Sequence, residues 1–219
     1  SKFGGSSIKD SDSIIKVKNI ISQKLQENNK VILVFSASGN TTDKLIEVGK
    51  IASDKKFNDF EFKTNIKEIY NHHKDIINNI LQSNHKYNAN EKLDEIFLEI
   101  DNLCLGIYYL KDFSSKTSDI LLSYGEKISN MIIHRYLIQE IEDKNIELID
   151  STDYLITDNT YGSAKIIESK TQLNFSGFDK HLSNDILIFL GFISKDENNN
   201  ITTLGRGGGD YTAALIGSY

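Results

Sequence analysis

The sequence has 219 residues, of which 39% are hydrophobic and 26% charged. This predicts one globular domain, or one and a fraction, long enough to bury a core without a disulfide or metal staple. A single cysteine, Cys104, excludes an intramolecular disulfide and a cysteine-rich zinc framework, and it fits a reducing, cytoplasmic compartment. The net charge of −6 argues against a nucleic-acid partner held by broad electrostatics. Apolar runs such as Ile186–Leu190 are far too short to span a bilayer, so no membrane is expected, and no signal-peptide pattern opens the chain.

The chain starts on Ser1, and its first residues read as the continuation of something already under way. Lys2, Phe3, Gly4, Gly5, Ser6 and Ser7 follow what is expected to be a first strand. They precede a helix whose apolar face carries Ile14, Val17, Ile21 and Leu25, with Asp10, Ser11 and Asp12 as N-cap candidates. Paired glycines let a backbone approach a phosphate, and a neighbouring lysine adds a full charge, although a plain tight turn has the same composition. The spacing is not that of a Walker A loop.

Val31–Phe35 is a continuous apolar run that suits a strand covered on both faces. Ser36, Ala37, Ser38 and Gly39 follow it, and Thr41, Thr42 and Asp43 open the next helix. Small hydroxyl residues at a strand's carboxyl end suit a ligand site in an open α/β sheet, and Thr41 or Thr42 equally suits an N-cap. Apolar residues at helical spacing then recur in three stretches: Ile66 to Leu81, Leu93 to Ile107, and Ile120 to Ile141. The third is interrupted by Gly125, beside Glu126. A glycine there costs roughly 1 kcal/mol against alanine and asks for either close ligand approach or tight helix packing.

Ile146–Ile149 and Ile186–Leu190 read as further buried strands, and residues 197–200 as a surface turn before a strand-like segment at 201–204. That segment runs into Gly205, Arg206, Gly207, Gly208, Gly209 and Asp210, then a helical Ala213-Ala214-Leu215. Four glycines at a helix N-terminus make a nest of amides suited to an anion. Arg206 is one of only two arginines, with Arg135, among 25 basic residues. Its planar fork matches a carboxylate in a way lysine does not. His72 and His73 occupy adjacent helical positions that cannot share a metal, and Cys104 reads as a small core residue.

Strands alternating with helices predict an α/β fold with a mostly parallel sheet and a long helical insertion around residues 65–141, in one unit without a linker. In order and spacing, the glycine turn at Lys2, the segment after Phe35, Thr42-Asp43-Lys44-Leu45, Tyr124-Gly125-Glu126 and the stretch from Thr202 to Ala214 resemble aspartokinase. The resemblance covers essentially the whole chain. It implies the amino-acid-kinase fold, an αβα sandwich, and Mg-ATP-dependent phosphorylation of the side-chain carboxylate of L-aspartate, the first step toward lysine, threonine and methionine.

By that resemblance Lys2 neutralises the transferring phosphoryl group and Gly4, Gly5 and Ser6 run along the ATP phosphates. Ser36, Thr42, Glu126 and Arg206 hold aspartate, Arg206 by its α-carboxylate and Glu126 by its ammonium, while Asp210 orients the reactants. Mg2+ is expected on phosphates and water, so no protein metal ligand is assigned. Two departures stand out: Gly209 replaces the family's usual Ser, and Ser6 its usual Thr. The resemblance also implies that residues 1–219 form the N-terminal, substrate-binding portion of the catalytic domain. The adenine-binding part and the ACT regulatory domains would lie beyond it, this portion alone would turn over little, and the full-length protein would be a homo-oligomer. The segment from Ser38 to Leu45 resembles forms fused to homoserine dehydrogenase. The competing readings are another small-acid kinase of the same fold and a non-catalytic amino-acid-binding or assembly fragment.

Overall fold

The computed structural model describes residues 1–28 and 30–219. Among these the strands are β1 (Lys2–Phe3), β2 (Val31–Phe35), β3 (Ile146–Ile149), β4 (Ile156–Thr157), β5 (Ile186–Leu190), β6 (Ile193–Asp196) and β7 (Ile201–Thr203). The α-helices are α1 (Ser11–Asn28), α2 (Thr41–Ser53), α3 (Asp59–Ile80), α4 (Ser83–Leu110), α5 (Ser115–Glu140), α6 (Glu168–Phe175) and α7 (Gly208–Ser218). The main sheet is all parallel in the order β1-β2-β5-β3, with Leu33 beside Ile188 and Leu148 beside Ile188 on its other edge. A second sheet, β4-β6-β7, pairs β4 parallel and β7 antiparallel to β6.

The period-2 geometry of a strand divides the apolar runs between two cores. Leu33, Phe35, Ile186 and Ile188 pack with the faces of α1 to α5. Val34, Leu187, Phe189 and Ile149 turn the other way, onto Tyr154, Phe175 of α6 and Ile216 of α7. Burying each such side chain stabilises the fold by about 1.5–3 kcal/mol. Helices thus cover both faces of the sheet, which is the expected αβα sandwich.

Local signals behave largely as their chemistry dictates. Ile14, Val17, Ile21 and Leu25 are all buried, and Asp10 is the α1 cap, accepting from the Ser13 amide at 2.8 Å. The start of α2 differs from expectation. Asn40 holds the cap position without a side-chain bond, and Thr41 instead donates its hydroxyl to the Ser38 carbonyl at 2.6 Å. The helical stretch between β2 and β3 also starts earlier than residue 65, running from Thr41 to Glu140 through α2, α3, α4 and α5. The first turns of α3 carry an exposed Phe60, so the apolar periodicity there does not report a buried face.

The turn at residues 197–200 joins β6 to β7. Asp196 organises it by accepting from the amides of Asn198 (2.9 Å) and Asn200 (2.8 Å). The three short strands of the second sheet were legible only in part, because two- to four-residue strands carry too little alternation to register. Cys104 is buried, and burial pushes its thiol up to about 12, as an inert core residue requires. His73 is fully buried at the helix interface, with its Nδ1 on the Ile69 carbonyl at 2.8 Å. Among the described residues no helix is long and apolar enough to cross a membrane.

Candidate functional site

At the carboxyl ends of β1, β2 and β5 lies a cleft of about 720 Å3, where open α/β sheets place ligands. Each wall has a distinct origin. β1 contributes Lys2, the end of β2 contributes Ser36, and the first turn of α2 contributes Thr42 and Asp43. One face of α5 contributes Ser115, Asp119, Leu122 and Glu126. The loop from β7 into α7 contributes Gly205 to Gly209 with Arg206 between. Lys2, Ser36, Thr42, Glu126 and Arg206, expected to act together, therefore do line one cavity.

Glu126 is the most constrained of them. Its side chain is buried, Oε1 accepts the Ala37 amide at 3.2 Å, and Oε2 has no hydrogen-bond partner. Burial, only partly offset by that amide, pushes its carboxyl up from 4.5 to about 8. An unpaired buried carboxylate oxygen costs free energy until a cation reaches it. Across the cleft, Arg206 is exposed and forms no ion pair among the described residues. A cation-seeking and an anion-seeking group thus share one cavity.

Lys2 lies against the first turn of α7 and pairs with Asp210 at 3.1 Å. Asp210 itself is largely exposed, outside the cleft wall, and reaches the site through Lys2. Gly209 explains how Lys2 fits: a Cβ there would stand 2.8 Å from Ser36 Oγ and 3.1 Å from Lys2 Cε. The space a side chain would take is filled by Lys2 and the Ser36 hydroxyl.

The structure narrows several expectations. Gly4 remains beside the site, since a Cβ there would meet Lys2 Nζ at 3.4 Å. Gly5 and Ser6 do not line the cleft, and Ser6 is exposed. Gly5 is needed for packing: its Cβ would lie 2.7 Å from the Ala37 carbonyl oxygen and 2.9 Å from that of Gly39. The amide nest is smaller than four glycines imply, because the amides of Gly208, Asp210 and Tyr211 are bonded to carbonyls of Gly205 and Gly207 within the loop. Gly125 answers to helix packing, as its Cβ would sit 3.0 Å from Ala37 Cβ and 3.5 Å from Thr41 Cγ2.

Two residues of the cleft were missed. Asp119 is buried and accepts from the Gly162 amide and from both the amide and hydroxyl of Thr203. Its position seven residues before Glu126, on the same helical face, was the signal available. Phe192 lines the cleft in a left-handed conformation (φ 70°), its amide held by Thr212 Oγ1 at 3.1 Å. It follows Gly191 at a strand's carboxyl end, just as Ser36 follows β2. Among the described residues no group of His, Cys, Asp and Glu is arranged to hold a metal.

The model of the amino acid kinase family matches residues 1–219. The chain belongs to the amino acid kinase family. Among curated relatives it is 30% identical over 230 residues to aspartokinase 2, chloroplastic, of Arabidopsis thaliana, covering 99% of this chain and 39% of that protein. It is 28% identical over 219 residues to a bifunctional aspartokinase/homoserine dehydrogenase of Buchnera aphidicola, covering 98% of this chain and 26% of that protein. Among solved structures, E. coli aspartokinase III in complex with aspartate and ADP matches with a TM-score of 0.86 at 25% identity, over 98% of this chain and 45% of that one. Clostridium acetobutylicum aspartate kinase matches with a TM-score of 0.72 at 25% identity, over 99% and 44%. This amino acid kinase chain thus spans 26% and 39% of the length of the two curated relatives.

Two expected outcomes follow from these side chains. Gly5→Ala is expected to destabilise the protein by about 1–3 kcal/mol, because backbone rather than a flexible side chain must move. A thermal melt that matches the parent would contradict this. The second concerns pH. His73 is held down at about 3 by burial, so the folded protein binds fewer protons than the unfolded chain below pH 6.5, and stability falls on acidification. Glu126, raised to about 8, has the opposite sign, and its contribution is lost as pH rises from 4.5 through 8. Between pH 7 and 5 the two effects are each about 2 kcal/mol and opposite in sign. Urea denaturation should therefore show Glu126→Gln losing more stability than the parent from pH 7 to 5, and His73→Asn losing less.

Proposed function

We propose that this chain carries the aspartate-binding part of an aspartate kinase, which transfers the γ-phosphoryl group of ATP to the side-chain carboxylate of L-aspartate. The observation that carries this reading is the unpaired, buried Glu126 Oε2 facing a cleft that also presents Arg206 and Lys2. A small molecule with one ammonium and two carboxylates satisfies all three groups. Glu126 takes the ammonium and Arg206 the α-carboxylate, leaving the side-chain carboxylate toward Lys2. Ser36 and Thr42 offer hydroxyls between them. The likeness to E. coli aspartokinase III, whose structure holds aspartate and ADP, supports the same reading.

The chemistry asks little of a general base. An aspartate side chain has a pKa near about 3.9, so the nucleophile is already ionised at neutral pH. What must be overcome is the repulsion between that carboxylate and the phosphates, which calls for in-line positioning and cancelled charge. Lys2 supplies the charge. The missing side chains at Gly4 and Gly209 leave its ammonium open to phosphate oxygens, so the residues present fit a nucleotide's phosphate end. Magnesium carried in with the nucleotide would supply further positive charge to the phosphates and would be held there by phosphate oxygens and water.

A fused homoserine dehydrogenase, a place in lysine, threonine and methionine synthesis and a homo-oligomeric assembly belong to the same reading. So does cytoplasmic location, which rests on the composition alone. The test is a coupled assay of ADP release with L-aspartate, on the protein at its natural length. Absence of aspartate-dependent ADP release would remove the reading.

If Glu126 must give up its proton to hold an ammonium, aspartate binding releases a proton below pH 8. Affinity is then expected to rise by up to about tenfold per pH unit between pH 6 and 8 and to level off above. Calorimetry in two buffers of different ionisation heat measures the released proton, and Glu126→Gln should abolish both the release and most of the binding. Arg206→Lys keeps the charge but loses the paired N–H bonds, so kcat/KM for aspartate should fall roughly ten- to hundredfold. Lys2→Ala should instead lower kcat and kcat/KM together, by about 100-fold or more, because its charge acts where negative charge redistributes. Wild-type kcat in that variant would exclude Lys2 from the phosphoryl path.

A further inference from the structure

The cleft has two poles on separate elements, Glu126 on α5 and Arg206 on the loop before α7. Something must fix the distance between them, and no covalent feature does: the two residues lie 80 positions apart in sequence. The connection visible in the structure is Asp119. It stands on the same face of α5 as Glu126, two helical turns away, or about 10.5 Å along the axis. Its carboxylate points to the opposite wall. Oδ2 accepts from the Gly162 amide at 2.9 Å and from the Thr203 amide at 3.0 Å. Oδ1 accepts from the Thr203 hydroxyl at 2.7 Å and shares the Gly162 amide at 3.1 Å.

Both partners are next to Arg206 in the fold. Thr203 is the last residue of β7, three positions before the arginine. Gly162 belongs to the loop against which Gly205 stacks. A Cβ at Gly205, already in a left-handed conformation (φ 73°), would meet Ser163 Cβ at 3.1 Å and the Gly162 carbonyl oxygen at 3.2 Å. The Ala164 amide closes the unit by donating to the Thr203 carbonyl at 2.8 Å. One buried carboxylate therefore clamps two backbone segments that together seat the arginine, while sharing a rigid helix with the glutamate. Asp119 has no cationic partner among the described residues, so its four acceptor contacts do the work that an ion pair does elsewhere.

We propose that Asp119 is a positioning residue that fixes the span between Glu126 and Arg206, and through that span the length of amino-diacid the cleft accepts. This rests on the aspartate-kinase reading. Aspartate is one methylene shorter than glutamate. With the poles held, the side-chain carboxylate of aspartate is presented to Lys2. With them loosened, the cleft loses its grip on aspartate and its ground for rejecting the longer homologue.

The test is steady-state kinetics with L-aspartate and L-glutamate on the protein at its natural length. Asp119→Ala is expected to raise the KM for aspartate about tenfold while kcat and the KM for ATP stay within about threefold, the pattern of lost ground-state positioning. The ratio of kcat/KM for aspartate over glutamate should fall by about tenfold. Asp119→Asn should fall between parent and Asp119→Ala, because its amide oxygen still accepts the two backbone N–H groups while its NH2 requires the Thr203 hydroxyl to turn. A residue serving fold stability alone would lower the melting temperature and the active fraction, hence kcat, and leave KM and the substrate ratio at parent values. That result overturns the proposal. Should Asp119→Ala fail to fold, Thr203→Val decides: it removes the 2.7 Å bond and should raise the KM for aspartate by about threefold, whereas an unchanged KM and ratio overturn the proposal. Failure of the aspartate-kinase reading itself shows separately, as a parent protein that phosphorylates no aspartate, and takes this proposal with it.

Discussion

The structure depends on the need to satisfy backbone polar groups where the central strands stop. Parallel strands buried on both faces end with carbonyls and amides that water reaches poorly, and each one left unpaired is costly. One stripe of α5 answers that need. The Ser129 hydroxyl donates to the Ser36 carbonyl at 2.8 Å, the Asn130 amide donates to the Phe35 carbonyl at 3.2 Å, and Glu126 accepts the Ala37 amide. Two turns earlier, Asp119 does the same for Gly162 and Thr203. A long helix thus closes the ends of both sheets through its polar face, while its apolar residues, such as Leu121, Ile128 and Ile132, enter the main core.

That arrangement makes catalytic and structural demands hard to separate. Glu126 is half satisfied by the backbone it caps, while its other oxygen is a buried orphan on the cleft wall. Full burial and one missing partner push its carboxyl upward, and this same deficit gives it an appetite for a cation. The folded chain accepts a destabilising group at the place where a ligand would relieve it. His73, buried nearby at the α3 interface and held neutral, has the opposite pH response.

Much of this was legible from the residues. The strands Val31–Phe35, Ile146–Ile149 and Ile186–Leu190 declared themselves as unbroken apolar runs, because a strand buried on both faces has no polar side to show. The poles of the cleft were legible too, since Arg206 in a lysine-rich chain and Glu126 beside a helix glycine are chemically conspicuous. Gly125 asked for either a ligand or tight packing, and Gly5 for a phosphate; in both the absent Cβ serves packing. What fills the space is a tertiary fact: Ala37 in both cases, from a loop distant in sequence. Asp119 was overlooked because its place on the Glu126 face of α5 says nothing of partners 43 and 84 positions away. A strand of two residues such as β4 lies below what periodicity resolves.

The ion pair between Lys2 and Asp210 has a consequence for how the cleft is entered. An aspartate on the first turn of α7 holds the lysine from the solvent side, with 73% of its own side chain exposed. Such a pair is weak and screened by salt, worth about 0–1 kcal/mol. On the proposed reading, the protein's own carboxylate is a placeholder for an incoming anion, holding Lys2 over Gly209. A phosphate arriving there would exchange one partner for another at almost no cost, and the lysine would not have to search for its place.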